Sequence, residues 1–455
     1  MIERPIAWLI VLLALGWASP AAADAALTWR ACPEIEPAVS AATLRCATLR
    51  PGHAIAGQPV RLAVARLQAR PDRISDHPVI FVPGGPGAPA GLDAAGLADW
   101  QRFQQHAGWP RDIVLFDPRS TGRSLPRVAC NEGERLAPCR RRLGAAMARA
   151  LSVSAAVRDL HALVEALGQG PAVFWAQSFG AFVVRALAAA YPGDIESLIL
   201  ESPAMHEQGG AAFSARVTQR AVDAVITRCN ARLACRLGVP SIRTTLAAWL
   251  ATLGRAPIEA AWATIPYPSQ RLSVAPDTLL TGLLFASYAP DTAPAIAGRL
   301  RQALGDTAVL APLLRPVAAL GKTSASHAPA YWSMRCSLAG LRTVAGRSKS
   351  APILDITAYL GPADSSEACR DWPVTNKPVL ASFHAVSGRL VYGKQDIVTP
   401  PDLIETAIVE SPALYGVAVA GGGHLPLRDS PCALADIAEW LNDEVSARAG
   451  KLCSR

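Results

Sequence analysis

Several absences narrow the reading of this 455-residue chain before any motif is considered. It has no Cys-x-x-Cys pair and no close cluster of cysteine with histidine. That is the ligand spacing a structural zinc site needs, so zinc binding is not expected. It has no long basic run apart from Arg140-Arg141-Arg142, and no aromatic residues interleave with that one. The net charge of +8 is scattered and carried mostly by arginine, which argues against a nucleic-acid surface. At most, it favours anionic envelope surfaces. Beyond the N-terminus there is no uncharged apolar run long enough to cross a bilayer. Only eight histidines are present, so a catalytic base has few places to be.

Hydrophobic residues make up 51% of the chain. This length and composition suit one large domain with an insertion, or two domains. At the N-terminus, Arg4, the short apolar run Ile6 to Trp17 and Ala21-Ala22-Ala23 form the pattern of a cleaved export signal over residues 1–23. Ala23-Asp24-Ala25 is a second cleavage option, and an uncleaved anchor is the alternative. After cleavage the chain should carry no stable membrane insertion. The ten cysteines fall into neighbouring couples: Cys32 with Cys46, Cys130 with Cys139, Cys229 with Cys235, Cys336 with Cys369, and Cys432 with Cys453. An even count in an exported chain implies disulfides, although connectivity cannot be read from spacing. Full oxidation would leave no thiol for catalysis. Nothing in the sequence indicates an oligomeric state.

In chain order, Val60 to Leu67 alternates and reads as a strand. Pro78 to Val82, Ile113 to Phe116 and Ser197 to Leu200 are short continuous apolar runs, the mark of strands buried on both faces. Between them Ser154 to Gly168 is an amphipathic helix, with Ser154 placed to cap its start and Gly168 its end. Strands alternating with helices predict an α/β fold with a mostly parallel sheet covered on both sides. Over residues 206–375 the texture turns Ala-, Leu- and Arg-rich. Helices are expected at Ala211 to Cys229, Ser241 to Leu253, Pro276 to Phe285 and Thr292 to Leu304, and loops near Ala325 to Ala330. This reads as a helical cap inserted between two core parts, 24–205 and 376–455. Strand texture resumes at Gly388 to Tyr392 and Leu414 to Val419, and a last helix is expected from Cys432 to Ala447.

The stretch Val173 to Ala181 reads as a strand, a sharp turn with Ser178 at its apex, and a helix to about Ala190. A serine hydroxyl needs exposure and an adjacent base to act as a nucleophile. A strand-turn-helix supplies the exposure, given small residues two before and two after the serine. Ala176 and Gly180 occupy those positions. On such a sheet the orienting carboxylate and the base follow in chain order at later strand ends. Asp396 follows the strand ending at Tyr392, and His424 follows the strand ending at Val419, after three glycines. His384 precedes Asp396 and breaks the order; His161 lies on the helix before the serine strand. The remaining histidines fall in loops or the cap. The expected oxyanion donors are the N–H of Phe179 and that of Gly85, with Gly84 the alternative, because Pro86 has none. A phosphate loop would need Gly-Lys-Ser/Thr after these glycines, which is absent.

Together, Pro83-Gly84-Gly85-Pro86-Gly87, Asp117-Pro118-Arg119-Ser120-Thr121-Gly122-Arg123-Ser124, Ala176 to Gly180, Gly393 to Pro401 and Gly422-Gly423-His424 resemble the α/β-hydrolase fold. Within it they resemble the proline iminopeptidase and secreted tripeptidyl aminopeptidase family. The resemblance implies removal of N-terminal residues from short peptides, with no metal or organic cofactor. It also implies acidic groups that pair with the substrate ammonium. The Cys-x-acid element expected late in the cap reads Cys336-Ser337-Leu338, without the acid. Glu201 and, more weakly, Glu207 remain as amine-binding candidates. An esterase or amidase acting on a small ester or amide, and a catalytically silent binding protein on this scaffold, are the other functional readings.

Overall fold

The computed structural model describes residues 27–33, 43–69, 76–131, 134–205, 211–262, 270–303, 307–338, 351–359, 369–374, 376–382, 385–442 and 450–454. The expected export signal, His206, Glu207 and His384 lie outside the described residues.

A nine-stranded sheet organises the chain. From one edge to the other its strands are Leu44–Leu49, Leu62–Leu67, Ile113–Phe116, Val79–Val82, Ala172–Gln177, Ile195–Glu201, Gly388–Gly393, Leu414–Val419 and Lys451–Cys453. Leu62–Leu67 is antiparallel to both its neighbours; from Ile113–Phe116 onward every pairing is parallel. The apolar runs read as buried strands are buried because side chains alternate between two cores, one on each face. Ile80, Val82, Phe174, Ala176, Leu198 and Leu200 enter one. Val79, Phe81, Val173, Trp175 and Ile199 enter the other. The second core holds an aromatic cluster beneath helix Ala94–Ala107, in which Trp175 meets Phe81, Phe103 and Trp109 at centroid distances of 4.9, 5.2 and 5.1 Å.

Helix Val153–Leu167 ends at Gly168 in the left-handed conformation, as expected; its N-cap is Ser152, not Ser154. The Val60 to Leu67 strand begins at Leu62, and the last helix is Pro431–Asn442, residues 443–449 lying outside the described set. The inserted segment packs around a core of its own, built from Val222, Leu246, Leu250, Leu283 and Leu314 among others. All four expected cap helices form, the second opened by Ser241, whose Oγ accepts from Thr244 N–H at 3.1 Å.

Two cap expectations change. A two-stranded antiparallel ribbon, Ile258–Trp262 with Gln270–Val274, interrupts the helices. Ala325 to Ala330 is not a loop but lies inside helix Ala311–Ser337. Pro329 favours a loop there, since an interior proline removes a helix hydrogen bond. Burial of Ala330, Met334 and Cys336 at the C-terminal end of that helix offsets the cost.

All ten cysteines are oxidised, in the sequential pairs Cys32–Cys46, Cys130–Cys139, Cys229–Cys235, Cys336–Cys369 and Cys432–Cys453. Among the described residues, no helix is long and apolar enough to cross a membrane.

Candidate active site

Ser178 sits where strand Ala172–Gln177 turns into helix Gly180–Ala190. Its φ is 47°, a left-handed conformation that costs a non-glycine residue energy and persists only when neighbours hold it. Here they do: Ser178 N–H donates to Glu201 O at 2.9 Å, and Ser178 O accepts from Ala204 N–H at 2.9 Å and Ala181 N–H at 3.1 Å. The helix start is pressed onto the neighbouring strand. A Cβ at Gly180 would approach Val82 O to 2.6 Å and Pro83 O to 3.1 Å, so no larger residue fits.

Asp396 and His424 meet from separate strand ends. Asp396 Oδ1 accepts from Val398 N–H at 2.7 Å and Thr399 N–H at 2.9 Å; Oδ2 accepts from Thr399 Oγ1 at 2.6 Å. That oxygen also faces His424 Nδ1 at 2.8 Å. Both side chains are essentially excluded from solvent. Burial alone would push the Asp396 carboxyl up; the charge and hydrogen bond of His424, with the Thr399 contacts, outweigh it and hold the group below its usual range. An ionised Asp396 accepts the proton on Nδ1, which leaves the lone pair of His424 on Nε2. Ser178 and His424 line one cavity of about 500 Å³. Ser178 and His424 therefore border a common space, with Asp396 bonded behind His424.

The loop Pro83 to Ala90 lines the same cavity through Gly84 and Gly85, and Gly84 packs against the serine turn, where a Cβ would lie 3.1 Å from Ser178 Cβ. Gly85 has φ 108°, open only to glycine at low cost. Neither Gly85 nor Phe179 donates its N–H to a backbone carbonyl among the described residues. The loop is held by Asp117, whose Oδ1 accepts from Ala90 N–H and Oδ2 from Arg123 N–H, both at 2.8 Å. Arg119 lies deeper and forks onto Asp159 with Nε at 2.6 Å and Nη2 at 2.5 Å. Ser120 stands at φ 65° where the resembling motif has glycine, and its Oγ accepts from Val128 N–H at 2.8 Å.

Glu201 is not on the cavity wall. It is fully buried, and its carboxylate is surrounded by donors: Trp175 Nε1 at 3.0 Å, Gln177 Nε2 at 2.8 Å and Leu427 N–H at 2.9 Å. It links the serine strand to the histidine loop from below and has no face toward a substrate amine. Ser202 adds a second tie, its Oγ accepting from Leu425 N–H at 3.0 Å. His161 stacks on Tyr191 and bonds Asp194, away from the site.

Sequence reading missed four residues of the site. Tyr288 arrives from the cap: its carbonyl accepts from His424 N–H at 3.1 Å and its ring packs edge-on to the imidazole at 4.8 Å. Burial pushes its phenol up. No sequence signal marks it. Arg428 and Asp99 line the cavity and pair at 2.6 Å, with the guanidinium 4.2 Å above the Trp100 ring. Arg428 stands four residues after His424, which is the signal that could have found it.

Comparison with known proteins fits this geometry. Residues 77–224, about a third of the chain, match the family described as alpha/beta hydrolase fold. The fold is that of the α/β-hydrolases. The matched stretch runs from strand Val79–Val82 through the turn at Ser178 into helix Ala211–Asn230. YuaR of Escherichia coli (strain K12), a protein that bears a hydrolase name, is 29% identical over 157 residues. That is 31% of this chain and 30% of YuaR, so the chain spans under a third of that curated relative. Among solved structures, a thermophilic esterase from Thermogutta terrifontis aligns at 15% identity and TM-score 0.42, over 87% of this chain and 98% of that one. A bromoperoxidase from Bacillus anthracis aligns at 12% identity and TM-score 0.43, over 88% and 100%.

Proposed function

We propose that this chain is an exported serine hydrolase that transfers acyl groups to water, with short peptides bearing a free N-terminus as its first substrate class. The carrying observation is the convergence of His424, bonded through Nδ1 to Asp396, with Ser178 on one cavity. In this reading Ser178 Oγ attacks the carbonyl carbon while His424 Nε2 takes its proton. The negative oxygen of the tetrahedral intermediate rests on the N–H groups of Phe179 and Gly85. His424 then passes the proton to the leaving group, and water repeats the sequence to free the acid. The five disulfides support an oxidising compartment outside the cytoplasm. The peptide preference rests on the motif pattern from Pro83 to His424.

A second reading, hydrolysis of small esters or amides, is favoured by one observation. The described cavity wall carries one acidic side chain, Asp99, and it is already held by Arg102 at 3.2 Å and Arg428 at 2.6 Å. A substrate ammonium would have to compete with two guanidinium groups for it. The test takes two steps. A fluorophosphonate should label Ser178 in the wild type and leave Ser178→Ala unlabelled; equal labelling of both removes the hydrolase proposal. Aminoacyl and tripeptidyl anilides are then compared with N-blocked versions and short acyl esters. Loss of turnover on blocking the amine supports the aminopeptidase, and unchanged turnover transfers the assignment to the second reading.

A further inference from the structure

Eight large apolar side chains stand exposed among the described residues, and three of them lie within seven positions: Leu233 at 60%, Leu237 at 66% and Val239 at 90% exposure. One exposed leucine needs no explanation. Three on the short helix Leu233–Arg236 and the residues just after it, on a fixed frame, do. The Cys229–Cys235 disulfide closes the base of the tip. Arg301 grips it from the cap, donating from Nε to Pro240 O at 2.9 Å and from Nη2 to Cys235 O at 3.0 Å. Gly238 lets that guanidinium approach, because any Cβ there would collide with it. The tip is therefore built, and docking it costs little ordering entropy.

The charge along the tip itself is of one sign. From Arg228 to Arg243 the sequence contains four arginines and no aspartate or glutamate. Arg232 and Arg236 are exposed beside the leucines. Asp291 is the acidic neighbour, 3.6 Å from Arg232, in a pair exposed on both sides. Arg228 turns inward, bonding Gln395 O at 2.9 Å beside the catalytic aspartate loop. An apolar point with an arginine collar suits the boundary of an anionic bilayer. The leucines and valine enter the acyl edge while the guanidinium groups stay at the headgroups.

We propose that the Leu233–Val239 segment is a peripheral docking element for an anionic phospholipid surface, holding the cap against a membrane without spanning it. This is independent of the hydrolase proposal, because it uses no residue of the cavity.

Sedimentation of the full chain with phosphatidylglycerol-containing vesicles and with pure phosphatidylcholine vesicles tests it. Binding is expected to the anionic vesicles, weakening as salt screens the arginines. Arg232→Gln with Arg236→Gln should lower the partition coefficient about thirtyfold at low salt. Leu233→Ser with Leu237→Ser should lower it about tenfold or more. Both variants keep the N-terminal apolar run, so a difference isolates the segment, and both should keep wild-type Ser178 labelling as a check on folding. Equal sedimentation of wild type and variants, or of both vesicle types, overturns the proposal. So does a concentration-dependent self-association lost in the variants without any vesicle binding, which would make the tip a protein contact.

Discussion

The fully buried Glu201 offers the sharpest test of how the site is assembled. Its three contacts are all donors, two on Oε2 and one on Oε1, so in each of these hydrogen bonds the carboxyl accepts. Burial raises its pKa, while Gln177, Leu427 and Trp175 pull the other way without cancelling that rise. Replacement by glutamine keeps one acceptor oxygen and turns an NH2 toward a donor. At least one buried donor loses its partner, at about 1–3 kcal/mol. Replacement by alanine strands all three at about 3–9 kcal/mol, a large part of the 5–15 kcal/mol that holds a typical domain folded. Urea midpoints with disulfides intact read the first effect, and Glu201→Gln should unfold earlier. The same donors lie on Gln177, next to Ser178, and on Leu427, three residues past His424. The rate of fluorophosphonate labelling should therefore fall in Glu201→Gln even at a urea concentration where the protein is fully folded. The sign with pH is fixed by the direction of the shift. A carboxyl with a raised folded pKa binds protons the unfolded chain has released, so its contribution is full below the unfolded value near 4.5 and is lost as pH rises through the folded value. Glu201→Gln should flatten that decline above pH 4.5. Unchanged stability, labelling rate and pH profile in this variant would refute the claim that the buried Glu201 carboxyl ties the Ser178 strand end to the His424 loop.

Asp396 carries the opposite sign: its lowered pKa gives stability that is present above the unfolded aspartate value and lost as pH falls through the folded one. Asp396→Asn should lower turnover by on the order of 10⁴ by stabilising the wrong imidazole tautomer, and turnover within tenfold of wild type would exclude Asp396 as the orienting group. Gly180→Ala forces a methyl against two backbone carbonyls; a loss of about 1–3 kcal/mol in urea is expected, and a neutral result would mean that the turn can relax. Arg119→Leu leaves Asp159 buried without its partner and should cost about 3–5 kcal/mol. Adding Asp159→Leu should recover part of that loss, and a double variant no better than the single would contradict a paired-charge origin.

Strands buried on both faces are legible because they leave continuous apolar runs, and Val79–Val82, Ile113–Phe116 and Ile195–Glu201 appear within a few residues of where those runs predict them. Edge strands are less so: Leu44–Leu49 and Lys451–Cys453 have at least one solvated face and are pinned by pairing and a disulfide, which single-residue patterning does not encode. The order Ser178, Asp396, His424 is readable for a topological reason. Each residue sits in a strand-end loop, so chain order along a parallel sheet becomes spatial order. Glu201 is legible only in part. Its position after a buried strand is visible in sequence, but whether its carboxylate faces the cavity or the space beneath it depends on Trp175, Gln177 and Leu427, three residues from two other parts of the chain. Helix Ala311–Ser337 fails for a related reason, local proline chemistry being overruled by packing at its C-terminal end.

The histidine loop is gripped from two sides, and this changes what the cap can be. From the core, Glu201 and Ser202 hold Leu427 and Leu425. From the cap, Tyr288 O takes the His424 N–H, the Tyr288 ring covers the imidazole edge, and Gly423 must lack a side chain because the Tyr288 carbonyl fills that space. Ile397 and Val398, beside Asp396, pack against Val217, Ala221 and Tyr288. A lid that swung away as one body would strip a hydrogen bond from His424 and the apolar cover from the Asp396 loop at the same time. Under the proposed function, the cap is a fixed part of the site rather than its entrance, and Asp99, Trp100 and Arg428 on the cavity wall are left to select the substrate.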